Sequence, residues 1–133
     1  METALQVAQK LSEQTLPVGQ DTLQQIASIL VRTELKKGEN FLDEGAVCSQ
    51  IGYIYKGLVR QYYYKNGKQL TEHFSCENDV FICIESFLRQ KPSTLIVEAL
   101  ENTIIYGLPH EPLLQLAAES HEVEELYRGL LEN

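Results

Sequence analysis

The chain has 133 residues, 44% hydrophobic and 23% charged, with a formal net charge of −8. That length fits one domain with a real core, and no apolar run approaches the ~20 residues needed to cross a bilayer. The polar, mixed start from Met1 to Lys10 does not read as a secretory signal, and the acidic balance makes a poor match for phosphate backbones.

Taken in chain order, the first zone is helical. Leu5, Ala8 and Leu11 fall at helical spacing between Thr3 and Gln14, before Pro17 and Gly19 interrupt the pattern. Asp21 is the expected N-cap of a second helix. Its apolar face is Leu23, Ile26, Ala27 and Leu30. The two N-terminal helices are placed within 3–32.

Residues 33–108 read as strands. Gly38, Gly45, Gly52, Gly57 and Gly67 punctuate short β-rich runs. Asn66-Gly67 is the strongest hairpin signal, because both residue types accept the positive φ of a type I′ turn. It joins Leu58–Lys65 to Lys68–Phe74. Thr94–Ala99 and Thr103–Leu108 are two further strands, joined by Glu101-Asn102. Adjacent residues of a strand face opposite sides, so only Tyr62 and Tyr64 of the Tyr62-Tyr63-Tyr64 run share a face. In an acidic chain that run reads as strand packing rather than as a base-stacking platform.

Residues 109–133 return to helix. Pro109 and Pro112 suit a helix start, and Leu113, Leu116 and Ala117 give one apolar stripe. Val123, Leu126, Tyr127 and Leu130 give a second. From Pro92 to Asn133, Arg128 is the one basic residue against eight glutamates, so no DNA-recognition helix is expected there. Helices flanking a strand-rich middle predict an α+β, mainly β fold: a jelly-roll β-roll, or double-stranded β-helix, with helices at both ends.

Several segments, in this order, carry a family resemblance. Leu35-Lys36-Lys37-Gly38-Glu39-Asn40-Phe41-Leu42-Asp43-Glu44-Gly45 resembles the first β-roll strands of cyclic-nucleotide-binding domains. Ile51-Gly52-Tyr53-Ile54-Tyr55-Lys56-Gly57-Leu58-Val59-Arg60 resembles the next, with Gly57 at the turn. Asn78-Asp79-Val80-Phe81 leads into what resembles the phosphate-binding cassette. Ser86 to Thr94 resembles its short helix and exit loop, and Val97-Glu98-Ala99-Leu100-Glu101 the following strand. The similarity covers roughly residues 20–130 and is closest in style to Crp/Fnr-type transcription regulators.

The resemblance implies a sensor for a cyclic nucleotide or another small anionic effector. In that family a short helix aims amides at the cyclic phosphate, an arginine after a proline makes a charge-assisted contact, and a glutamate accepts from the ribose hydroxyl. This sequence departs at each place. Pro92 is followed by Ser93, not arginine. Counting back from Ser93 puts Cys83 or Ile82 at the family's glycine and Ile84 or Cys83 at its glutamate, with Glu85 one or two residues late. Losing one hydrogen bond to a charged group costs ~1.5–3 kcal/mol, about a tenfold to hundredfold loss of affinity. Cyclic AMP is therefore a poor candidate ligand. The pocket is expected at Cys83, Ile84, Glu85, Ser86, Phe87, Ser93 and Thr94, with the hydroxyls of Ser86, Ser93 and Thr94 facing the anion and Arg89 and Lys91 solvated.

The resemblance also implies a homodimer. Val123, Leu126, Tyr127 and Leu130 are either its helical face or a stripe packed on their own β-roll, and Leu131 leans towards the former. DNA contact would run only through a helix-turn-helix domain outside this chain, whose 133 residues are expected to be the sensor domain alone. A ligand-free β-roll interaction and dimerisation module is the alternative, favoured by the missing arginine.

No enzyme is expected: no serine or cysteine nucleophile is recognisable beside a histidine base, and His73 is the one strand histidine a cupin-like metalloenzyme could use. No metal is expected either. His73, Cys76 and Cys83 are three candidate ligands where a structural zinc needs four, and an iron–sulfur cluster needs more cysteines. Three cysteines (Cys48, Cys76, Cys83) without paired spacing read as reduced thiols, and the localisation expected is cytoplasmic.

Overall fold

A computed structural model describes residues 2–132. The element order is α1 (Glu2–Gln14), α2 (Gln20–Ile29), β1 (Val31–Leu35), β2 (Asn40–Leu42), β3 (Gln50–Lys56), β4 (Leu58–Lys65), β5 (Lys68–Cys76), β6 (Val80–Phe81), α3 (Ile84–Arg89), β7 (Ile96–Ala99), β8 (Thr103–Pro109), α4 (His110–Glu119) and α5 (His121–Glu132). The strands form two four-stranded sheets, ordered β1-β8-β3-β6 and β2-β7-β4-β5, and every pairing is antiparallel. This is the expected jelly roll with helices at both chain ends.

Apolar residues drive the two sheets together. Ile51, Ile54, Val59, Val97, Ile105 and Leu108 are all buried in one continuous core. Glycine decides two close approaches. Gly52 carries no side chain where the Phe81 ring lies against it, and Gly57 turns β3 into β4 at φ 112° against the backbone of Asn102 and Thr103. The Asn66-Gly67 hairpin forms as the sequence predicts, with φ of 53° and 78° at the two residues.

The terminal helices pack on one another and on the β-roll. Val7, Ala8, Leu11, Ile26, Leu113, Val123, Leu126 and Leu130 join the core. Thus Val7, not Leu5, completes the buried stripe of α1, and Leu5 is only half-buried.

Several boundaries differ from the sequence reading. Val31 and Arg32 belong to β1, not to a helix, because Leu30 turns extended and β1 then pairs with β8 from Val31↔Gly107 onward. The cap of α2 is Gly19, not Asp21. The Gly19 N–H donates to Glu122 Oε1 at 3.3 Å, so the helix start is fixed by α5 rather than by its own sequence. Thr94 and Leu95 lie in a turn before β7, because the Leu95 N–H donates to Ser93 Oγ at 2.9 Å. β5 runs on to Cys76 and β8 to Pro109. Asn133, the last residue placed in the C-terminal helices, lies outside the described residues.

Candidate functional site

The cassette is built on α3, a six-residue helix between β6 and β7. The sequence allows only a short helix here, since Gln90 adopts the left-handed conformation at φ 51° and Pro92 follows. Cys83 precedes the helix, and its carbonyl accepts from the Phe87 N–H at 2.9 Å. The side chain of Cys83 makes no capping hydrogen bond.

A single segment, the connection between β2 and β3, holds the cassette in place. The Gly45 N–H donates to Ser93 O, and the Ser93 N–H donates to Ala46 O, both at 2.8 Å. Val47 and Pro92 form an antiparallel bridge. The Cys48 N–H donates to Ser86 Oγ at 2.9 Å, and Gln90 Nε2 donates to Cys48 O at 3.1 Å. Next along, Ser49 O accepts from the His110 N–H at 2.8 Å, tying the same segment to the start of α4.

The predicted site residues divide. Cys83, Ser86, Phe87 and Ser93 are buried, whereas Ile84, Glu85 and Thr94 are exposed. Phe87 is fully buried and packs edge-on to His110 of α4, with ring centroids 4.9 Å apart, and near Tyr127 of α5 at 6.5 Å. It is a contact between cassette and terminal helices rather than a pocket wall. The others line a hollow of about 650 Å³, which also takes in Tyr63, Glu72, Ile82, Arg89, Lys91, Pro92 and Leu95. That volume lies within the range of small-molecule sites, ~300–1,000 Å³.

Two of the three hydroxyls expected to face an anion are engaged elsewhere. Ser86 Oγ donates to Lys91 O at 2.5 Å while accepting from Cys48. Ser93 Oγ accepts from the Leu95 N–H and donates to Leu95 O at 3.1 Å. Thr94 alone stands free of such side-chain hydrogen bonds among the described residues. Arg89 and Lys91 are exposed, as expected, and make no ion pair among the described residues. Both border the hollow, with Glu72 and Glu85 as the acidic counterweight.

Four residues of the site were not singled out from sequence. Gln61 is buried, and its Nε2 donates to Ile82 O and to Cys83 Sγ, each at 3.3 Å. It fixes the strand that enters the cassette. Tyr63 lies two residues on, on the same face of β4. Glu72 is the extra residue at a bulge, where the register passes from Gln61↔His73 to Tyr62↔Thr71. A bulge re-aims a side chain, and Glu72 thereby reaches the hollow. Cys48 hydrogen-bonds through its backbone to Ser86 and Gln90, as above. Strict alternation along β4 was the available signal: it sets a polar Gln61 between inward-facing Val59 and Tyr63. On the opposite face, Arg60 sits 3.9 Å over the Tyr62 ring and binds Glu98 at 2.8 Å, while Tyr62 and Tyr64 pair at 5.8 Å as the shared face predicts.

Of the two readings of the α5 stripe, burial favours packing on its own chain. Val123, Leu126 and Leu130 are at most 1% exposed inside one chain, and Tyr127 is half-buried. Val123, Leu126 and Leu130 cover this chain's own core and are closed to a second copy. Glu122 anchors the start of α5 on α2, accepting from Thr22 Oγ1 at 2.5 Å and from the Gly19 N–H. Those donors hold its carboxyl below the ordinary glutamate value.

No grouping of three or more potential metal ligands occurs among the described residues, and no helix is long and apolar enough to cross a membrane.

Residues 32–120 match the protein family described as "Cyclic nucleotide-binding domain". No curated protein matched the sequence. Among solved structures, the chain resembles cAMP-bound PfPKA-R at TM-score 0.73 and 20% identity, covering 86% of this chain and 41% of that one. It resembles the Thermus thermophilus catabolite activator protein at TM-score 0.76 and 18% identity, covering 92% and 56%. It also resembles the sensor domain of the transcriptional regulator DNR from Pseudomonas aeruginosa at TM-score 0.78 and 16% identity, covering 99% and 90%. At these identities the likeness is one of fold. The chain spans less than two thirds of the first two proteins and nearly all of the isolated sensor domain.

Proposed function

Since the chain belongs to the cyclic nucleotide-binding domain family, we propose that it is the effector-sensing domain of a Crp/Fnr-type transcription regulator, with its effector in the hollow beside α3. The carrying observation is the placement of Phe87. It belongs to the cassette helix and packs on His110 and Tyr127 of the terminal helices. A ligand that favours one position of α3 then biases the position of α4 and α5, the minimum for coupling between two sites. The role is regulatory, not catalytic, and the setting is the cytoplasm. Contact with DNA runs through a helix-turn-helix domain outside these 133 residues.

The effector of this reading is a small anion other than cyclic AMP. Its charge meets Arg89 and Lys91 from the rim and the Thr94 hydroxyl, because Ser86 and Ser93 are already hydrogen-bonded within the cassette. A homodimer is part of the reading, with its contacts away from Val123, Leu126 and Leu130. The alternative, a ligand-free β-roll module, draws on that same internal satisfaction of the two serines.

Thermal denaturation with a panel of nucleotides, inorganic phosphate and small carboxylates separates the two. A ligand that binds only the folded state raises Tm. The sensor reading expects at least one such shift, lost in the Arg89→Ala/Lys91→Ala double variant. A flat response across the panel favours the ligand-free module.

A further inference from the structure

Cys48 and Cys83 meet at the joint between the β2–β3 segment and the cassette. Both are buried, at 5% and 2% exposure, and neither is in a disulfide. They line one cavity of about 190 Å³, bordered by exposed Asn40 and Val47. The two thiols are close enough for each to bear on the other's ionisation. Cys83 Sγ also accepts from Gln61 Nε2 at 3.3 Å, and Cys48 Sγ donates to Gln50 O at 3.4 Å. The buried Oε1 of Gln50, in the same cavity, has no hydrogen-bond partner.

We propose that Cys48 and Cys83 are an oxidation site, converted by hydrogen peroxide or an organic hydroperoxide into an intramolecular disulfide that reshapes the cassette. Cys48 gives up its thiol proton and its thiolate attacks the hydroxyl oxygen of the peroxide, breaking the O–O bond to give a sulfenic acid; the departing hydroxide or alkoxide takes up that proton and leaves as water or an alcohol. The Cys83 sulfur then attacks the Cys48 sulfur and expels hydroxide, which takes up the Cys83 proton and leaves as water. Two thiols lose two electrons and two protons, and one peroxide is reduced.

The environment sets the order of attack. The neighbouring Cys83 thiol holds the Cys48 thiol below its ordinary value, whereas the neighbouring Cys48 and burial push Cys83 up. The third cysteine is disfavoured: Cys76 is exposed, but its thiol donates to Asp79 at 3.4 Å, and that carboxylate raises its pKa. The cavity that the pair lines is bordered by exposed Asn40 and Val47, and its volume of about 190 Å³ is several times the ~30 Å³ share of a water molecule, room for a peroxide.

The bond changes more than two side chains. Drawing Cys48 towards Cys83 strains the Cys48 N–H to Ser86 bond and the Gln90 bond to Cys48 O, which seat α3, and moves the neighbour of Ser49, which holds α4. Oxidation and the cassette are thereby linked through one backbone segment.

The test treats the intact protein with stoichiometric hydrogen peroxide and reads mass and free thiols. The expected result is a loss of about 2 Da, a fall from three free thiols to one, and a peptide linked through Cys48 and Cys83. Dithiothreitol restores both readings. Cys76→Ser keeps the mass loss, and Cys83→Ser replaces it with a stable sulfenic acid at Cys48. Should Cys83→Ser fail to fold, the peptide map of the wild-type protein decides alone. Linkage through Cys76, or oxidation without any Cys48–Cys83 linkage, overturns the proposal.

Discussion

At the scale of single residues, hydrogen bonds decide what the cassette hydroxyls are free to do. Ser86 accepts from Cys48 and donates to Lys91, so it holds two backbone segments together. Removing it leaves a buried N–H and a carbonyl unpaired, which costs ~1–3 kcal/mol. Ser86→Ala is therefore expected to lower stability in urea denaturation by about that amount while leaving any ligand-induced rise in Tm unchanged. A loss of that rise with unchanged stability would assign the hydroxyl to a ligand. Gly57 is the second sensitive point. Alanine there meets both a positive φ and the backbone of Asn102 and Thr103, whereas Gly45 has φ 87° but open space around it. Gly57→Ala is expected to cost more than Gly45→Ala, which bears only the ~1–3 kcal/mol of backbone strain; equal losses in parallel denaturation curves would contradict this.

Among the elements, the start of α5 hangs on one carboxylate. Glu122 accepts from Thr22 and Gly19, and its pKa lies below the ordinary value. Its contribution to stability is fully present above the unfolded carboxylate value and is lost as pH falls through the lowered folded value. Acidification through that window is expected to speed amide exchange at residues 19–23 and 121–124. Glu122→Gln is expected to remove that pH dependence. A window unchanged in the variant would place the titration elsewhere.

The same scale shows what the sequence could and could not say. The Asn66-Gly67 turn was legible because it depends only on two residues' backbone freedom. The pairing of Tyr62 with Tyr64 followed from the period of a strand. The cap of α2 was not legible, since Asp21 is the better local cap but Glu122, a hundred residues away, fixes Gly19. Val31 and Arg32 follow directly on the apolar face that ends at Leu30, and they become strand because β8 is there to pair with them. The stripe of α5 was visible as apolar, yet periodicity does not say what it covers. Burial shows that it covers its own chain. In the site, the absence of an arginine after Pro92 could be read directly, and the short helix followed from the family resemblance. Glu72 and Cys48 depended on a bulge and on loop contacts that no local pattern encodes, and the alternation of β4 was the one signal for Gln61.

For the whole molecule, the β2–β3 segment and Phe87 make the hollow and the terminal helices one mechanical unit. Phe87 is fully buried and touches both His110 and Tyr127. Phe87→Ala is expected to cost ~3–5 kcal/mol from the cavity it leaves. Phe87→Leu keeps most of the volume and is expected to fold while loosening α4 and α5, visible as faster amide exchange there. The central claim is that this cyclic nucleotide-binding fold has exchanged its phosphate grip for internal hydrogen bonds. Isothermal titration of the protein with cyclic AMP and cyclic GMP tests it most directly. Dissociation constants weaker than about 1 μM, or no heat at all, are predicted for both; sub-micromolar binding of either would contradict the account.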